Sequence, residues 1–293
     1  SDLWKRLRFV LGCIIVYRIG THIPIPGIDP VRVSSLFDQN QGTILELFNL
    51  FSGGALERMS IFALNVVPYI SAAIIMQLFS NAIPYLIELK KEGQAGRNAI
   101  TQYTRYGTVA LAFVQASALA VTLSSSGLAY NPGTSFFVTA VFTVVAGTVF
   151  LMWLGEQISE RGIGNGISII IATSILTGIP GAIGQALEQA RQGDLNILML
   201  LSIGVLAMVV IAIVVFIERG QRRITVNYAQ RQQGRRLMQA QASHLPFKVN
   251  MSGVIPAIFA STFLLFPASL STWFGQNESF GFLQTFSLAL NPG

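Results

Sequence analysis

Long runs without a charged side chain constrain the fold of this chain more than any other feature. Four such runs are present, at residues 107–125, 135–155, 197–217 and 251–274. A helix needs about 20 consecutive apolar residues to cross the hydrocarbon core of a bilayer, and each run has about that length. Charged residues make up only 11% of the chain, against about 25% in a soluble domain. The sequence therefore predicts an all-α polytopic membrane protein.

Three weaker apolar runs, at about 7–24, 61–80 and 163–186, raise the predicted number of spans to seven. The chain starts without Met and ends in the loop-like stretch "LALNPG", so we expect it to be a piece of a longer protein. Its single cysteine, Cys13, cannot form a disulfide or a thiolate metal site within the chain.

Basic residues are distributed unevenly among the predicted loops. If the amino end is cytoplasmic, fifteen of the nineteen Lys and Arg residues fall in cytoplasmic loops. The opposite loops contain Arg32, Arg58 and Arg191, and Arg18 lies inside the first predicted span. Because cytoplasmic loops are enriched in positive residues, this bias predicts a cytoplasmic N-terminus. Arg18 lies close to an interface, so we expect it to extend its charge towards water rather than to act as a gating charge.

The predicted loop at residues 218–250 is far more basic than its neighbours. It contains seven basic residues and one acidic residue, and apolar residues alternate at Ile224, Val226 and Tyr228 as they do in a strand. Retention of the flanking helices on the cytoplasmic side needs fewer charges than this. We therefore expect a docking surface for an acidic partner, either RNA phosphate or an acidic protein face.

The sequence offers little for catalysis. We expect every Asp and Glu to lie outside the spans, which argues against a proton relay. Neither His22 nor His244 has a partner at the spacing of a metal site or a catalytic triad. The stretch "GIGNGIS" at 162–168 imitates a dinucleotide fingerprint but lacks the strand and helix around it, and no P-loop is present. We expect no enzyme activity and no cofactor, and an energy source supplied by a partner.

The segment "LELFNLFSGGALERMSIFALNVVPYI", residues 45–70, is apolar but interrupted too often for a span. Its first part, residues 45–51, is a candidate short helix on the outer side, and we expect a full span to start around Ser60. Irregular backbone at membrane depth requires burial in protein or contact with water. The segment is therefore predicted to be a re-entrant element in a cavity. An amphipathic helix on the outer membrane surface is the alternative.

The predicted fifth span is rich in Gly, Ser, Thr and Asn. Such a helix packs closely on its neighbours or lines an aqueous path. Ile167 and Ile171 lie four residues apart on one face of it, as do Val66 and Ile70 on the second span. Spacing alone leaves ordinary packing as the simplest interpretation of these pairs.

Several motifs together resemble one family. They are "IPIPGID", "FNLFSGGALERMSIFAL", "PYISAAIIMQL", "KKEGQAGRNAITQYTRYGT", "FLMWLGEQISERGIGNGISIII", "EQARQGDL", "VVFIERGQRRITVNYA" and "HLPFKVNMSGVIPAIFAS". From end to end the chain is similar to the SecY family, the channel subunits of the bacterial Sec translocon, and most of all to its gamma-proteobacterial members.

The resemblance implies a fold of two inverted five-helix halves around an hourglass pore. Residues 1–190 would form the N-terminal half with spans one to five and a plug at 45–60. Residues 191–293 would begin the C-terminal half with spans six and seven and the basic loop 218–250, and the rest of that half would be missing. The implied function is to move unfolded secretory proteins across the cytoplasmic membrane and to release membrane helices laterally into it.

The resemblance also implies roles for particular residues. The pore ring would comprise Val66, Ile70, Ile167, Ile171 and Ile258, with valine at position 66 where isoleucine is commoner. The plug would include Leu45, Phe48, Phe51, Gly53, Gly54, Glu57 and Arg58. The polar positions of the lateral gate would be Ser71, Gln115 and Asn250, and partners would dock on Arg222, Arg223, Arg235 and Arg236.

The implied partners are SecE, SecG, the SecA motor ATPase, the ribosome through its RNA, signal peptides, unfolded precursor chains and phospholipid. The implied location is the bacterial inner membrane, with several spans and a cytoplasmic N-terminus. Two other functions stay open on the residues alone. A solute transporter with a broken-helix site would need convergent polar groups at the membrane midplane. A non-conducting membrane scaffold would not explain a plug together with an apolar collar.

Overall fold

The computed structural model describes residues 2–29, 32–33, 49, 52–193, 196–227, 232–233, 236–237 and 242–250. The long helices are α1 (Asp2–Gly20), α2 (Val67–Ala82), α3 (Pro84–Lys91), α4 (Gln94–Ser125), α5 (Thr134–Arg161), α6 (Gly166–Gln192) and α7 (Ile197–Arg219). Four strands follow, β1 (Gln221–Asn227), β2 (Gln232–Gln233), β3 (Arg236–Leu237) and β4 (Ala242–Lys248).

Among the described residues, four helices are long and apolar enough to cross a membrane, namely α4 to α7. The count rises to five if α2 and α3 form one bent span. The chain is therefore a multi-pass membrane protein. Helix α1 covers most of the first predicted span, but its own Lys and Arg residues lower its apolar character. The span predicted at 251–274 lies outside the described residues, so the total of seven stays a prediction.

The second predicted span starts later than expected. We expected a helix from about Ser60, but residues 60–66 form turns and α2 begins at Val67. The reason is backbone conformation: Met59 and Asn65 have φ of +43° and +49°, values that a right-handed helix excludes. Pro68 is tolerated because it lies in the first turn of α2, where its missing N–H has no helical partner to lose.

Helices α2 and α3 are separated by a sharp bend of 94°. Ile83 between them is extended, with φ −93° and ψ 121°. The ring of Pro84 disfavours helical conformation at the residue before it, so the bend follows from the Ile83–Pro84 sequence.

Helix α4 packs closely on α2 and α5 because it presents small side chains to them. Its buried positions recur every four residues, at Thr104, Thr108, Ala112, Ala116 and Ala120. This spacing places them on one face of the helix, and small residues allow the backbones of membrane helices to approach.

Two apolar clusters form the core. The first consists of Ile25, Ile28, Val33, Met59, Ala116, Ala120, Leu123, Leu128, Ala129, Phe136, Ala140, Val141 and Val144. The second consists of Val10, Cys13, Tyr17, Ala55, Phe62, Val66, Leu151, Leu154, Ile158 and Ile170. The second cluster joins α1, α5 and α6 to the turns before α2, and it surrounds the candidate site.

Helices α4 and α5 extend beyond the uncharged runs in the sequence. They therefore include charged residues next to those runs, among them Arg105 in α4 and Glu156 in α5.

The chain divides into two compact units, and α6 passes from the first into the second at Ile183. In the second unit, the most apolar stretch of α7 has a mean hydropathy of 3.2 and contains no buried residue. The surface of this helix is therefore suited to contact with lipid. The strands β1 and β4 then pair as an antiparallel ribbon, from Gln221 opposite Lys248 to Asn227 opposite Ala242. This pairing confirms the predicted strand at Ile224 and Val226, and Tyr228 lies outside the described residues.

Candidate functional site

The plug segment, residues 45–60, is described at Asn49 and from Ser52 onwards. The side chain of Asn49 closes this segment into a loop by two hydrogen bonds with Glu57. Nδ2 of Asn49 donates to Oε2 of Glu57 at 2.9 Å, and the backbone N–H of Glu57 donates to Oδ1 of Asn49 at 3.0 Å. Gly53 and Gly54 have φ of +66° and +78°, which glycine adopts without steric penalty. Leu45, Phe48 and Phe51 lie outside the described residues.

Charged side chains attach the plug segment to the end of α1. Nη1 of Arg18 donates to the carbonyl of Gly53 at 3.2 Å. Nη1 of Arg58 donates to Nε2 of His22 at 2.9 Å. On its other side, Nδ1 of His22 lies 2.8 Å from the carbonyl of Arg18, to which it donates. These two contacts match the tautomer that carries its hydrogen on Nδ1.

Apolar contacts bring the plug segment to the predicted pore ring. Ala55 is fully buried in the second apolar cluster together with Val66. Ile70, Ile167 and Ile171 are partly buried and pack against this same cluster. Four of the five predicted ring residues thus belong to or pack against one apolar cluster. The fifth, Ile258, lies outside the described residues, and the ring itself stays a prediction.

Close helix packing determines where Ile167 lies. A Cβ atom at Gly155 of α5 would overlap Cδ1 of Ile167, and a Cβ atom at Gly166 would overlap the carbonyl of Gly155. Glycine at these two positions lets the start of α6 approach α5. The side chain of Ile167 can then rest on the α5 backbone beside the second apolar cluster.

A buried polar cluster next to the ring was missed by the sequence analysis. Oη of Tyr17 lies 2.6 Å from Oγ of Ser174, and Nδ2 of Asn65 donates to Oγ of Ser174 at 3.1 Å. Oη of Tyr17 also donates to the carbonyl of Ser52 at 3.2 Å. The polar residues of the fifth predicted span were a signal that its partners would be polar, but spacing could not identify them.

The three predicted gate positions have different surroundings. Ser71 is partly buried in α2. Oε1 of Gln115 in α4 is buried and accepts no hydrogen bond from the residues that the structure describes. Nδ2 of Asn250 donates to Oε1 of Glu218 at 2.8 Å, at the base of the ribbon. Their assignment to a lateral gate stays a prediction.

The ribbon displays two of the predicted docking residues. Arg222 lies opposite Phe247 and Arg223 lies opposite Pro246, and both arginines are exposed. Arg236 is the first residue of β3, and Arg235 lies outside the described residues. The described part of the loop thus has exposed positive charge on a defined antiparallel scaffold.

The family model described as SecY matches residues 60–291. The chain belongs to the SecY family. Its relatives in this family are named protein translocase subunit SecY. The one from Pseudomonas aeruginosa is 64% identical over 293 residues, which cover 100% of this chain and 66% of that protein. The one from Escherichia coli K12 is 58% identical over 297 residues, which cover 100% of this chain and 67% of that protein. The chain therefore spans about two thirds of the length of these SecY relatives.

Solved structures show the same SecY-type channel fold. One is a SecY protein in which the plug domain is described as stabilising the closed state of the translocation channel and maintaining a membrane seal. It matches with a TM-score of 0.65 at 20% identity and covers 93% of this chain and 58% of that chain. The other is Sec61 in the canine ribosome–channel complex from the endoplasmic reticulum, with a TM-score of 0.65 at 19% identity, covering 92% of this chain and 59% of that chain.

Proposed function

We propose that this chain forms most of the pore of a protein-conducting channel, which moves unfolded secretory proteins across the bacterial inner membrane and releases membrane helices laterally into it. The channel has no catalytic role of its own. The observation that carries the proposal is that Val66 and Ala55 of the plug segment belong to one apolar cluster, against which Ile70, Ile167 and Ile171 pack.

A collar of this composition suits a pore that must pass many sequences. The ring side chains are branched at Cβ and have few rotamers, so the collar keeps its shape. An apolar constriction of this kind resists wetting when it is empty. It also contacts a passing chain without hydrogen bonds, so it does not select the sequence of that chain.

The plug segment supplies the seal below the collar. Most of its described buried residues are small, with Met59 as the exception, so its burial stabilises the closed state without making release prohibitive. The plug domain of the related SecY structure is described as having the same role. Hydrogen bonds from α1 to the backbone of the segment hold it beside the collar.

We assign the gate and the docking surface by the same family membership. Ser71, Gln115 and Asn250 would lie in the seam through which signal peptides and membrane helices reach phospholipid. Arg222, Arg223, Arg235 and Arg236 would bind the ribosome or SecA from the cytoplasm, where the N-terminus also lies. SecE and SecG would be the membrane partners. SecA or translation would supply the energy.

Photocrosslinking tests the pore. A crosslinkable residue is placed at Ile167 of the full-length protein, and a secretory precursor is arrested midway through transport. We expect crosslinks to the mature part of the precursor that disappear when transport is allowed to finish. The control is a crosslinkable residue at Phe216, which is exposed on α7. Crosslinks at Phe216 without any at Ile167 would overturn the pore assignment.

Charge reversal tests the docking surface separately. We expect Arg222→Glu with Arg223→Glu to weaken binding of both SecA and ribosomes, and the loss to shrink at high salt because the contact is electrostatic. The matched control is reversal of Arg191, which is exposed near the end of α6 and outside the ribbon. Equal binding by the ribbon variant and the control would contradict the assignment.

A further inference from the structure

The buried polar cluster joins three parts of the chain to the plug segment. Tyr17 belongs to α1, Asn65 to the turns before α2, and Ser174 to α6, and each is at most 1% exposed. The carbonyl of Ser52 in the plug segment accepts from Oη of Tyr17 at 3.2 Å. Oγ of Ser174 also lies 2.9 Å from the carbonyl of Ile170, one turn earlier in α6.

The number of hydroxyl hydrogens limits this cluster. Three contacts each need one: Tyr17 to Ser52, Tyr17 to Ser174, and Ser174 to Ile170. The two hydroxyl groups supply only two hydrogens. The amide hydrogens of Asn65 do not relieve this shortage, because they are donated to the two hydroxyl oxygens and not to the carbonyls.

Two arrangements place a hydrogen in the 2.6 Å contact between Oη of Tyr17 and Oγ of Ser174. In one, Tyr17 donates to the carbonyl of Ser52, and Ser174 donates to Oη of Tyr17. In the other, Tyr17 donates to Oγ of Ser174, and Ser174 donates to the carbonyl of Ile170. The two differ only in rotation about the C–O bonds of the hydroxyl groups. Breaking a buried hydrogen bond is unfavourable mainly because it leaves a donor without an acceptor. The second arrangement avoids this penalty, because both hydroxyl hydrogens still have acceptors after Ser52 has moved away.

We propose that Tyr17 is a positioning residue for the plug: its hydroxyl holds the carbonyl of Ser52 in the closed channel and passes its hydrogen bond to Ser174 when the plug leaves. This inference rests on the proposed function, since it assigns the plug its point of attachment. Ser174 is the alternative acceptor, and Asn65 keeps the two hydroxyl oxygens in place in both arrangements.

The neighbouring backbone supports an attachment at this point. A Cβ atom on Gly53 would lie 3.1 Å from Cα of Ser174 and 3.1 Å from Oγ1 of Thr177, so the plug backbone rests directly on α6. Arg18 donates to the carbonyl of Gly53. Consecutive residues of α1, Tyr17 and Arg18, thus bind the carbonyls of consecutive plug residues.

Substitutions that remove one hydroxyl each can test this inference. Tyr17→Phe keeps the ring, which stacks on Phe62 with centroids 6.0 Å apart, and loses the donor to the plug. Ser174→Ala keeps that donor and loses the alternative acceptor. Thr173→Ala is the matched control, because the Thr173 hydroxyl donates only within α6, to the carbonyl of Ile169 at 2.8 Å. The full-length channel is reconstituted in planar bilayers, and its resting ion conductance is measured without precursor.

We expect Tyr17→Phe to raise the resting conductance several-fold, and Ser174→Ala to leave it at or below the starting value. The double variant should behave as Tyr17→Phe, and Thr173→Ala should change nothing. An equal rise for Tyr17→Phe and Ser174→Ala would overturn the inference, since it would show that the cluster only supports the packing.

A variant lacking residues 45–60 separates this inference from the proposed function. If that deletion conducts ions and Tyr17→Phe does not, the positioning role of Tyr17 is wrong while the plug stands. If the deletion itself stays closed, the plug role fails and the inference falls with it. Should Tyr17→Phe reduce the folded amount, hydrogen exchange of residues 52–59 in the folded fraction gives the same test. Faster exchange than in Ser174→Ala supports the inference, and equal exchange overturns it.

Discussion

Arg105 holds both carboxylate oxygens of Glu156: its Nε donates to Oε1 at 2.8 Å, and its Nη2 donates to Oε2 at 2.9 Å. The pair joins α4 to α5, and its side chains are 39% and 21% exposed. Planar two-point pairing of this kind is stronger than a single contact between charges. Because the pair is partly shielded from water, it contributes more than an ordinary surface ion pair.

We predict that Arg105→Met destabilises the full-length protein by about 1–3 kcal/mol, since it leaves the Glu156 carboxylate half-buried without its cation. Thermal unfolding in detergent measures the change. Arg97→Met, at an exposed position of the same helix, is the control and should have almost no effect. Addition of Glu156→Gln to Arg105→Met should restore part of the loss, and a fully additive double variant would contradict direct coupling.

Helix α5 approaches the turns before α2 so closely that the space between their backbones does not admit even the methyl group of an alanine. A Cβ atom at Gly147 would overlap the backbone carbonyl of Ile61. We predict that Gly147→Ala destabilises the protein by about 1–3 kcal/mol, because backbone must move to accept it. Gly181→Ala is the matched control, since no described residue beyond the adjacent backbone of its own helix lies within 4 Å of that Cβ position. It should be neutral or stabilising by up to about 1 kcal/mol. Equal melting temperatures for the two variants would show that this approach is not tight.

Deletion of residues 45–60 from the full-length protein should leave it folded, because the two apolar clusters lose only Met59, Leu56 and Ala55 among their described residues. We predict a raised resting ion conductance, since the seal below the collar is gone. Conductance in planar bilayers and thermal stability in detergent are the two measurements. A folded variant with unchanged conductance would refute the seal.

The sequence predicted the parts of the fold that depend on local composition. The uncharged runs located α4, α5 and α7, and alternation located β1, because periodicity and hydropathy are read over short windows. It failed at the start of α2, where Met59 and Asn65 adopt left-handed conformations. Asparagine does so more often than most residues, but methionine seldom does. Tertiary contacts set those two angles: the carbonyl of Met59 accepts from Ile25, and the amide of Asn65 donates to Ser174.

Some residues of the candidate site could likewise be identified from the sequence, and others could not. Val66 and Ile167 could be singled out only because they match a family motif, since spacing alone left ordinary packing as the simplest interpretation. Tyr17, Asn65 and Ser174 could not, since each looks ordinary in its own segment and they meet only through the packing of α1, α6 and the turns between 60 and 66. The Arg105 pair was missed for a related reason: both partners lie just beyond uncharged runs, where sequence alone places the ends of helices poorly.

The two faces of the ribbon formed by β1 and β4 carry different side chains. The register of the ribbon places Ile224 opposite Leu245 and Arg222 opposite Phe247 on one side, and Arg223 opposite Pro246 on the other. A shift of the pairing by one residue would exchange the two sides. The base is pinned against such a shift by the N–H of Val249, which donates to the carbonyl of Gly220 at 3.0 Å. Two molecules that approach the ribbon from opposite sides would therefore contact different surfaces. One face is apolar with a single charged side chain, and the other face is polar.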